Sequence, residues 1–215
     1  MGNIVLILGE TGSGKTSSLR NFKEDEAAVF SIASKKLPFR NNLRVINGND
    51  YAVIKKGLSS DKFNCYIIDD SQYLLAFEQL AKLDETGYKK HVEMANNFYK
   101  LLKHAIDNTP DDVIVYFLHH PETTELGKIK AKTIGKMIDN WLTLEGLFTI
   151  VLMAKTDGEN YVFETNNNGN STCKSPFEMF ESKEIPNDLK AVDGIIREYW
   201  GLNPIKTTTG EKRND

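Results

Sequence analysis

Gly9-Glu10-Thr11-Gly12-Ser13-Gly14-Lys15-Thr16, preceded by the apolar run Ile4-Val5-Leu6-Ile7-Leu8, is the stretch whose reading decides the fold. It fits G-x-x-x-x-G-K-[ST], a phosphate-binding loop between a buried strand and the start of a helix, and Ser17 to Phe22 can open that helix. Glycines at 9, 12 and 14 permit positive φ and let backbone N–H groups come close to phosphate oxygens. The helix N-terminus adds orphan donors and partial positive charge. Lys15 is expected to reach the β and γ phosphates, and the Thr16 hydroxyl to ligate Mg²⁺. The predicted nucleotide-binding segment is therefore Gly9, Glu10, Thr11, Gly12, Ser13, Gly14, Lys15, Thr16 and Ser17. A glycine-rich turn with no ligand is the bland alternative, and the complete motif with both flanks argues against it. The stretch predicts a nucleoside triphosphate, with ATP and Mg²⁺ as cofactors.

Working outward, 215 residues suit one α/β domain, expected over 1–203, with 204–215 as a disordered tail. Hydrophobic content of 40% and charged content of 27% are ordinary for a globular chain. The net charge of -3 carries no global basic signal, so any nucleic-acid contact must come from a local patch. Cys65 and Cys173 lack metal-ligand spacing and read as reduced thiols of a cytoplasmic protein. The motif strand starts beside Met1, leaving no room for a signal peptide, and no apolar run approaches membrane-spanning length.

Further strands are expected at Ala27–Ile32, Leu43–Ile46, Cys65–Ile68, Val113–Leu118 and Leu147–Ala154. Asp50 is expected to cap a helix through Leu58, and Asn187 a final amphipathic helix with Leu189, Val192, Ile195, Ile196 and Tyr199 inward. Leu74 to Asp107 reads as two helices divided at Asp84-Glu85-Thr86-Gly87. Glu122 to Lys136 is too polar for a firm element, and Ile138 to Leu144 reads as a helix. Asp157-Gly158 signals a hairpin to a strand at Tyr161–Glu164. The fold class expected is α/β: a RecA-like P-loop NTPase with a mainly parallel central sheet flanked by helices and a C-terminal antiparallel hairpin.

In such sheets ligands bind at the carboxyl ends of strands, where the loop, Asp69-Asp70 and His119-His120 all fall. An apolar strand ending in Asp suits a metal carboxylate, so Asp69 joins Thr16 as the expected Mg²⁺ residues. Asp70 is the candidate base for an attacking water, and with Lys15 forms the expected catalytic pair; the alternative is that Asp70 merely caps the next helix. Glu10 is a weaker candidate base. His119 or His120 is expected to contact the γ-phosphate, with His119 the candidate sensor, against a plain surface histidine pair before a proline. Lys128, Lys130, Lys132 and Lys136 form a run of positive charge without interleaved aromatics. It is a candidate single-stranded DNA contact, against a solvated charged loop. Lys155 and Lys174, near the hairpin, are candidates to reach a neighbouring subunit's γ-phosphate.

With these stretches in view, together with Ile67-Ile68-Asp69-Asp70-Ser71, Gly127 to Gly135, Lys174-Ser175-Pro176-Phe177 and Ile185-Pro186-Asn187-Asp188-Leu189, the chain resembles a family. It looks like the phage-encoded RecA-like P-loop ATPases described as single-strand annealing or recombination proteins. The resemblance covers most of the chain. It implies ATP hydrolysis, single-stranded DNA binding, homo-oligomerisation, cooperation with a single-strand binding protein, and work in the host cell cytoplasm. Residue by residue it carries over Lys15 and Thr16 for phosphate and Mg²⁺, Asp69 for the metal, and the lysine loop for DNA.

Two other classes compete. A small-molecule or nucleotide kinase suits the length and the loop, but such enzymes clamp the transferred phosphoryl with lid arginines. Arg20, Arg40, Arg44, Arg197 and Arg213 all lie outside the candidate lid between His120 and Asp139. A nucleotide-switched binding module with little turnover follows if Asp70 is only a helix cap.

Overall fold

The computed structural model describes residues 1–134 and 142–207. Strand β1 (Asn3–Gly9) is followed, through the glycine loop, by a six-residue 3₁₀ turn, Thr16–Asn21. The Ser18 hydroxyl donates to the Lys15 carbonyl at 2.6 Å, and the turn ends where the chain becomes extended at Phe22. Then come β2 (Ala28–Ser31), β3 (Arg44–Asn47), α1 (Tyr51–Leu58), β4 (Cys65–Asp69), α2 (Gln72–Ala81) and α3 (Lys89–Asp107). They are followed by β5 (Ile114–His119), β6 (Pro121–Thr123), β7 (Ile129–Ala131), β8 (Ile150–Thr156), β9 (Tyr161–Glu164), β10 (Glu184–Pro186) and α4 (Leu189–Trp200).

Eight strands form one sheet in the order β10-β9-β8-β1-β5-β4-β2-β3. From β8 to β3 every pairing is parallel; β9 and β10 add antiparallel at the edge, as the Asp157-Gly158 hairpin signal requires. The protein is thus α/β, with a mostly parallel central sheet flanked by helices. Parallel strands covered on both faces need apolar side chains on both, and β1 supplies them alternately. Leu6 and Leu8 pack with Ile54, Leu74, Phe98 and Leu101 of α1–α3 on one face. Val5 and Ile7 pack with Leu19, Leu189, Val192 and Ile196 on the other.

Asp50 caps α1 as its position implies, accepting from the Ala52 N–H at 2.7 Å. The cap of α4 is not Asn187 but Asp188, whose carboxylate accepts from the Lys190 and Ala191 N–H groups. Pairing of β10 with β9 carries the chain one residue further before the helix starts, and it leaves the Asn187 side chain buried against the glycine loop. The polar stretch after His120 also departs from expectation, since β6 and β7 pair as a hairpin. Its tip closes through Gly127 at φ 75, and its base is held by Glu145, which accepts from the Ala131 N–H at 2.6 Å. The expected helix over 138–144 falls mostly outside the described residues.

The C-terminal segment is tied down beyond the expected boundary at 203. Asn64 donates to the Pro204 carbonyl at 2.9 Å and accepts from the Lys206 N–H at 2.8 Å, and Ile205 packs on the core. Residues 208–215 lie outside the described residues. Among the described residues, no helix is long and apolar enough to cross a membrane.

Candidate functional site

Parallel pairing decides where the polar residues gather. Leu8 lies opposite His119, and Ile68 opposite Phe117, so β1, β5 and β4 end at one edge of the sheet. The glycine loop leaves β1 there. Gly12 and Gly14 hold φ of 82° and 93°, the left-handed region that glycine enters without strain. At Gly9 the constraint is space: a Cβ would lie 2.4 Å from Ser13 Oγ and 3.0 Å from Lys15 Cγ.

Lys15 is buried and folds back over the loop, donating to the Gly9 carbonyl at 2.5 Å and the Glu10 carbonyl at 3.0 Å. Burial lowers its pKa to about 8 against the opposing charges of Asp70 and Asp69, so the ammonium persists at neutral pH. The next residue closes the site. The Thr16 hydroxyl donates to Asp69 Oδ1 at 2.9 Å, joining the glycine loop to the carboxylate at the end of β4, two strands away in the sheet. Burial raises the Asp69 carboxyl to about 6, with repulsion from Asp70 adding to the effect and the Thr16 hydrogen bond opposing it. No family model and no curated protein matches the chain.

Hydroxyl and carboxylate are hard oxygen donors, and Mg²⁺ is commonly held by one or two carboxylates plus substrate phosphates. Thr16 and Asp69 therefore fit that ion. Among the described residues no group of three or more His, Cys, Asp and Glu gathers as a metal cage by itself. The fit thus depends on phosphate oxygens completing the set.

Asp70 stands at φ 61, an αL conformation that an aspartate tolerates at modest cost. Its carboxylate does not cap α2; instead it pairs with Lys35 and lies 3.3 Å from His120 Nε2. Burial would raise the Asp70 carboxyl, but hydrogen bonds from His120 and Lys35 and the charge of Lys35 outweigh it and hold the group at about 2. Lys35 reaches this place from the loop after β2, where Ser31 Oγ and the Lys35 backbone hydrogen-bond, and its ammonium lies 5.9 Å from the Tyr73 ring centroid.

His119 is fully engaged inside the protein. Its Nε2 donates to the Lys132 carbonyl at 2.8 Å, which leaves Nδ1 to accept from Ser71 Oγ at 2.8 Å. Burial lowers its pKa to about 4, so the ring is neutral. Of the two histidines it is His120, edge-on to Tyr73 and beside Asp70, that faces the carboxylate cluster. Sequence reading offered both histidines, because a strand end does not reveal which of two adjacent side chains turns inward.

The lysine run lies on and beyond the β6–β7 hairpin, which continues directly from β5. Lys128 and Lys132 are exposed, Lys130 pairs with Glu122 at 2.9 Å, and Lys136 lies outside the described residues. Lys155 is held by the buried Glu164 of its own chain, and the Lys174 backbone pairs with Val151 beside β8. Lys35 was missed because nothing distinguishes it from Lys36 in the Ser34-Lys35-Lys36 turn. Tyr161 and Asn187 were missed as site residues too. They border the glycine loop at Gly14, where a Cβ would meet the Tyr161 ring at 2.7 Å and the Asn187 amide at 3.3 Å.

Proposed function

We propose that the chain is a Mg²⁺-dependent ATPase of the RecA-like P-loop type, acting on single-stranded DNA in phage recombination or replication. The observation that carries the nucleotide part is the 2.9 Å hydrogen bond from Thr16 to Asp69, which brings the glycine loop and the strand-end carboxylate to one point. Parallel pairing brings the ends of β1 and β4 to the same edge of the sheet, and hydroxyl plus carboxylate is the donor set of a nucleotide-bound Mg²⁺. When bound, that ion would neutralise charge on the phosphates and polarise the bond to be broken.

The chain's own residues supply the rest. Lys15 exchanges its loop carbonyls for β and γ phosphate oxygens, a small movement of an ammonium already desolvated and therefore strongly attracting. Asp70 takes the proton of the attacking water, but only after Lys35 leaves it, since a carboxylate held at about 2 is a poor base. Phosphate charge near Lys35 offers that competing partner. The exposed Lys128 and Lys132 extend from β5 and reach for DNA phosphates, coupling strand binding to the site through the His119–Lys132 contact. Homo-oligomerisation, a single-strand binding protein as partner and the host cell cytoplasm belong to the same reading, on family resemblance alone.

The Lys35–Asp70 pair also favours a second reading, a nucleotide-switched binding module in which the base stays locked and turnover is slow. Phosphate release from ATP, with and without single-stranded DNA and against Lys15→Ala, decides between them. The ATPase reading expects release stimulated by DNA and reduced to background in Lys15→Ala. Binding without release points to the switch, and ADP formation without phosphate release that requires a small acceptor points to a kinase.

A further inference from the structure

We infer that the open cleft between the 3₁₀ turn after the glycine loop and strands β9 and β10 is the nucleoside subsite. In it the Tyr161 ring is the stacking face for the base, and the Asn187 amide is the polar group that reads the base edge. The inference rests on the triphosphate reading of the loop and adds to it which residues take the other end of the nucleotide.

Position comes first. Thr16 and Asp69 mark the terminal-phosphate end, so a nucleotide lying along the loop leaves past the next residue, Ser17. Ser17 and Arg20 form one wall of the cleft; Tyr161, Asn187 and the strand ends with Glu159 and Glu184 form the other. Its volume of about 760 Å³ is within the roughly 300–1,000 Å³ of small-molecule sites. Charge then sets the orientation. Glu159 and Glu184 repel phosphates but can accept from ribose hydroxyls, so the cleft suits the uncharged end of a nucleotide and repels a nucleic-acid backbone.

The side chains carry the rest. Asn187 is 1% exposed, yet neither its Nδ2 nor its Oδ1 has a hydrogen-bond partner among the described residues. Buried amides are almost always paired, so one left open beside the loop is a group awaiting a ligand. An amide offers one donor and one acceptor edge, the pairing with which Asn reads adenine. Tyr161 lies beside it at the loop: the ring is 47% exposed, with Cδ1 2.7 Å from where a Gly14 Cβ would be. Ring and amide thus border the same stretch of the loop, and the ring is exposed enough to offer its face to a base. The walls are braced for this, since the Arg20 guanidinium donates to the Ser17 carbonyl at 3.1 Å and to the Asn187 carbonyl at 2.6 Å.

The test is calorimetric titration with ATP, GTP and inorganic tripolyphosphate, each with Mg²⁺. Tyr161→Ala is expected to weaken ATP about tenfold, as loss of one base stack does, while tripolyphosphate changes less than about twofold. Tyr161→Phe should restore ATP binding, and Asn187→Asp should change the ATP-to-GTP ratio by about fivefold or more. Variants that bind ATP like the wild type, or that lose ATP and tripolyphosphate equally, overturn the inference. So does a short oligothymidylate that displaces ATP only when Tyr161 is present, because the cleft is then a nucleic-acid site. Lys15→Ala separates the two levels: if it weakens ATP and tripolyphosphate while Tyr161→Ala weakens neither, the loop reading stands and the subsite falls. If Lys15→Ala changes nothing, the loop reading itself fails.

Discussion

At the scale of single residues, the site is governed by what each ionisable group faces. Asp70 is held at about 2 by His120 and Lys35 despite its burial. Lys35→Met removes one of the two partners that hold the carboxyl down, so the acidic limb of the pH profile of kcat/KM, which reports the nucleotide-free site, should move up by about a unit. An unmoved limb would remove Asp70 from the base role. Asp70→Asn should lower turnover by about a hundredfold or more while ATP binding stays within about threefold. Stability carries a second signature. His119 is depressed from 6.5 to about 4, so the unfolded chain takes up its proton first. Its contribution, about 3 kcal/mol, is present above pH 6.5 and is lost as pH falls towards 4. Asp69 is raised from 3.8 to about 6, so its contribution of similar size has the opposite sign and fades as pH rises through that window. The two nearly cancel in the nucleotide-free protein. Asp69→Asn should therefore expose the His119 slope, with urea-derived stability rising by about 3 kcal/mol from pH 4 to 6.5 relative to wild type. A flat Asp69→Asn stability profile over that range would contradict the buried, neutral state of His119, and a flat difference between the two proteins would contradict the raised Asp69 carboxyl.

At the scale of elements, the hairpin β6–β7 and the start of α4 show what could and could not be read from the chain. Runs such as Ile4–Leu8 and Cys65–Ile68 announce themselves, because a parallel strand buried on both faces must be apolar throughout. Asp157-Gly158 likewise announces its turn. The hairpin gave no such signal: Ile129 and Ala131 are its inward-facing side chains, and its anchor is Glu145, supplied from elsewhere in the chain. The α4 cap was misread by one residue for a similar reason, since strand pairing at Glu184–Pro186 fixes where the helix begins. Asp188 both caps α4 and accepts from Asn21 at 2.6 Å, so it fastens the helix to the 3₁₀ turn after the glycine loop. Asp188→Ala should cost about 1 kcal/mol in urea unfolding; an effect near zero would mean that this cap carries no stability. Replacing Lys128 and Lys132 with Gln should reduce the slope of log binding against log salt for single-stranded DNA by about 1.4, two phosphates at roughly 0.7 each. An unchanged slope would move DNA off this hairpin.

At the scale of the whole molecule, the sheet has two differently built edges. The glycine loop, Asp69, Asp70 and His120 crowd the carboxyl edge, where Lys15 and Lys35 lie among the carboxylates. The opposite edge is closed by one arginine from α4. Arg197 is buried and donates to Asp193 at 2.5 Å, to the carbonyls of Asp112 at 2.9 Å and Asn64 at 2.8 Å, and to the Asn203 carbonyl at 2.8 Å. It thereby ties the segments entering β4 and β5 to α4 and to the chain's C-terminal stretch. Asp193 also accepts from the Tyr116 hydroxyl at 2.8 Å. Removing the arginine strands a buried carboxylate and frees three carbonyls, so Arg197→Met should cost about 3–5 kcal/mol, a large part of the roughly 5–15 that a domain has. The partner substitution separates charge from packing: Arg197→Met with Asp193→Leu should recover more than half of that loss, because no unpaired charge remains. Urea unfolding measures both. Because the cluster is at the far edge from the glycine loop, nucleotide affinity per folded molecule should be unchanged in either variant. Added ATP at about a hundred times its dissociation constant should then restore roughly 2.7 kcal/mol of stability to each. An Arg197→Met protein that unfolds like the wild type would show that the sheet edge holds without its clamp.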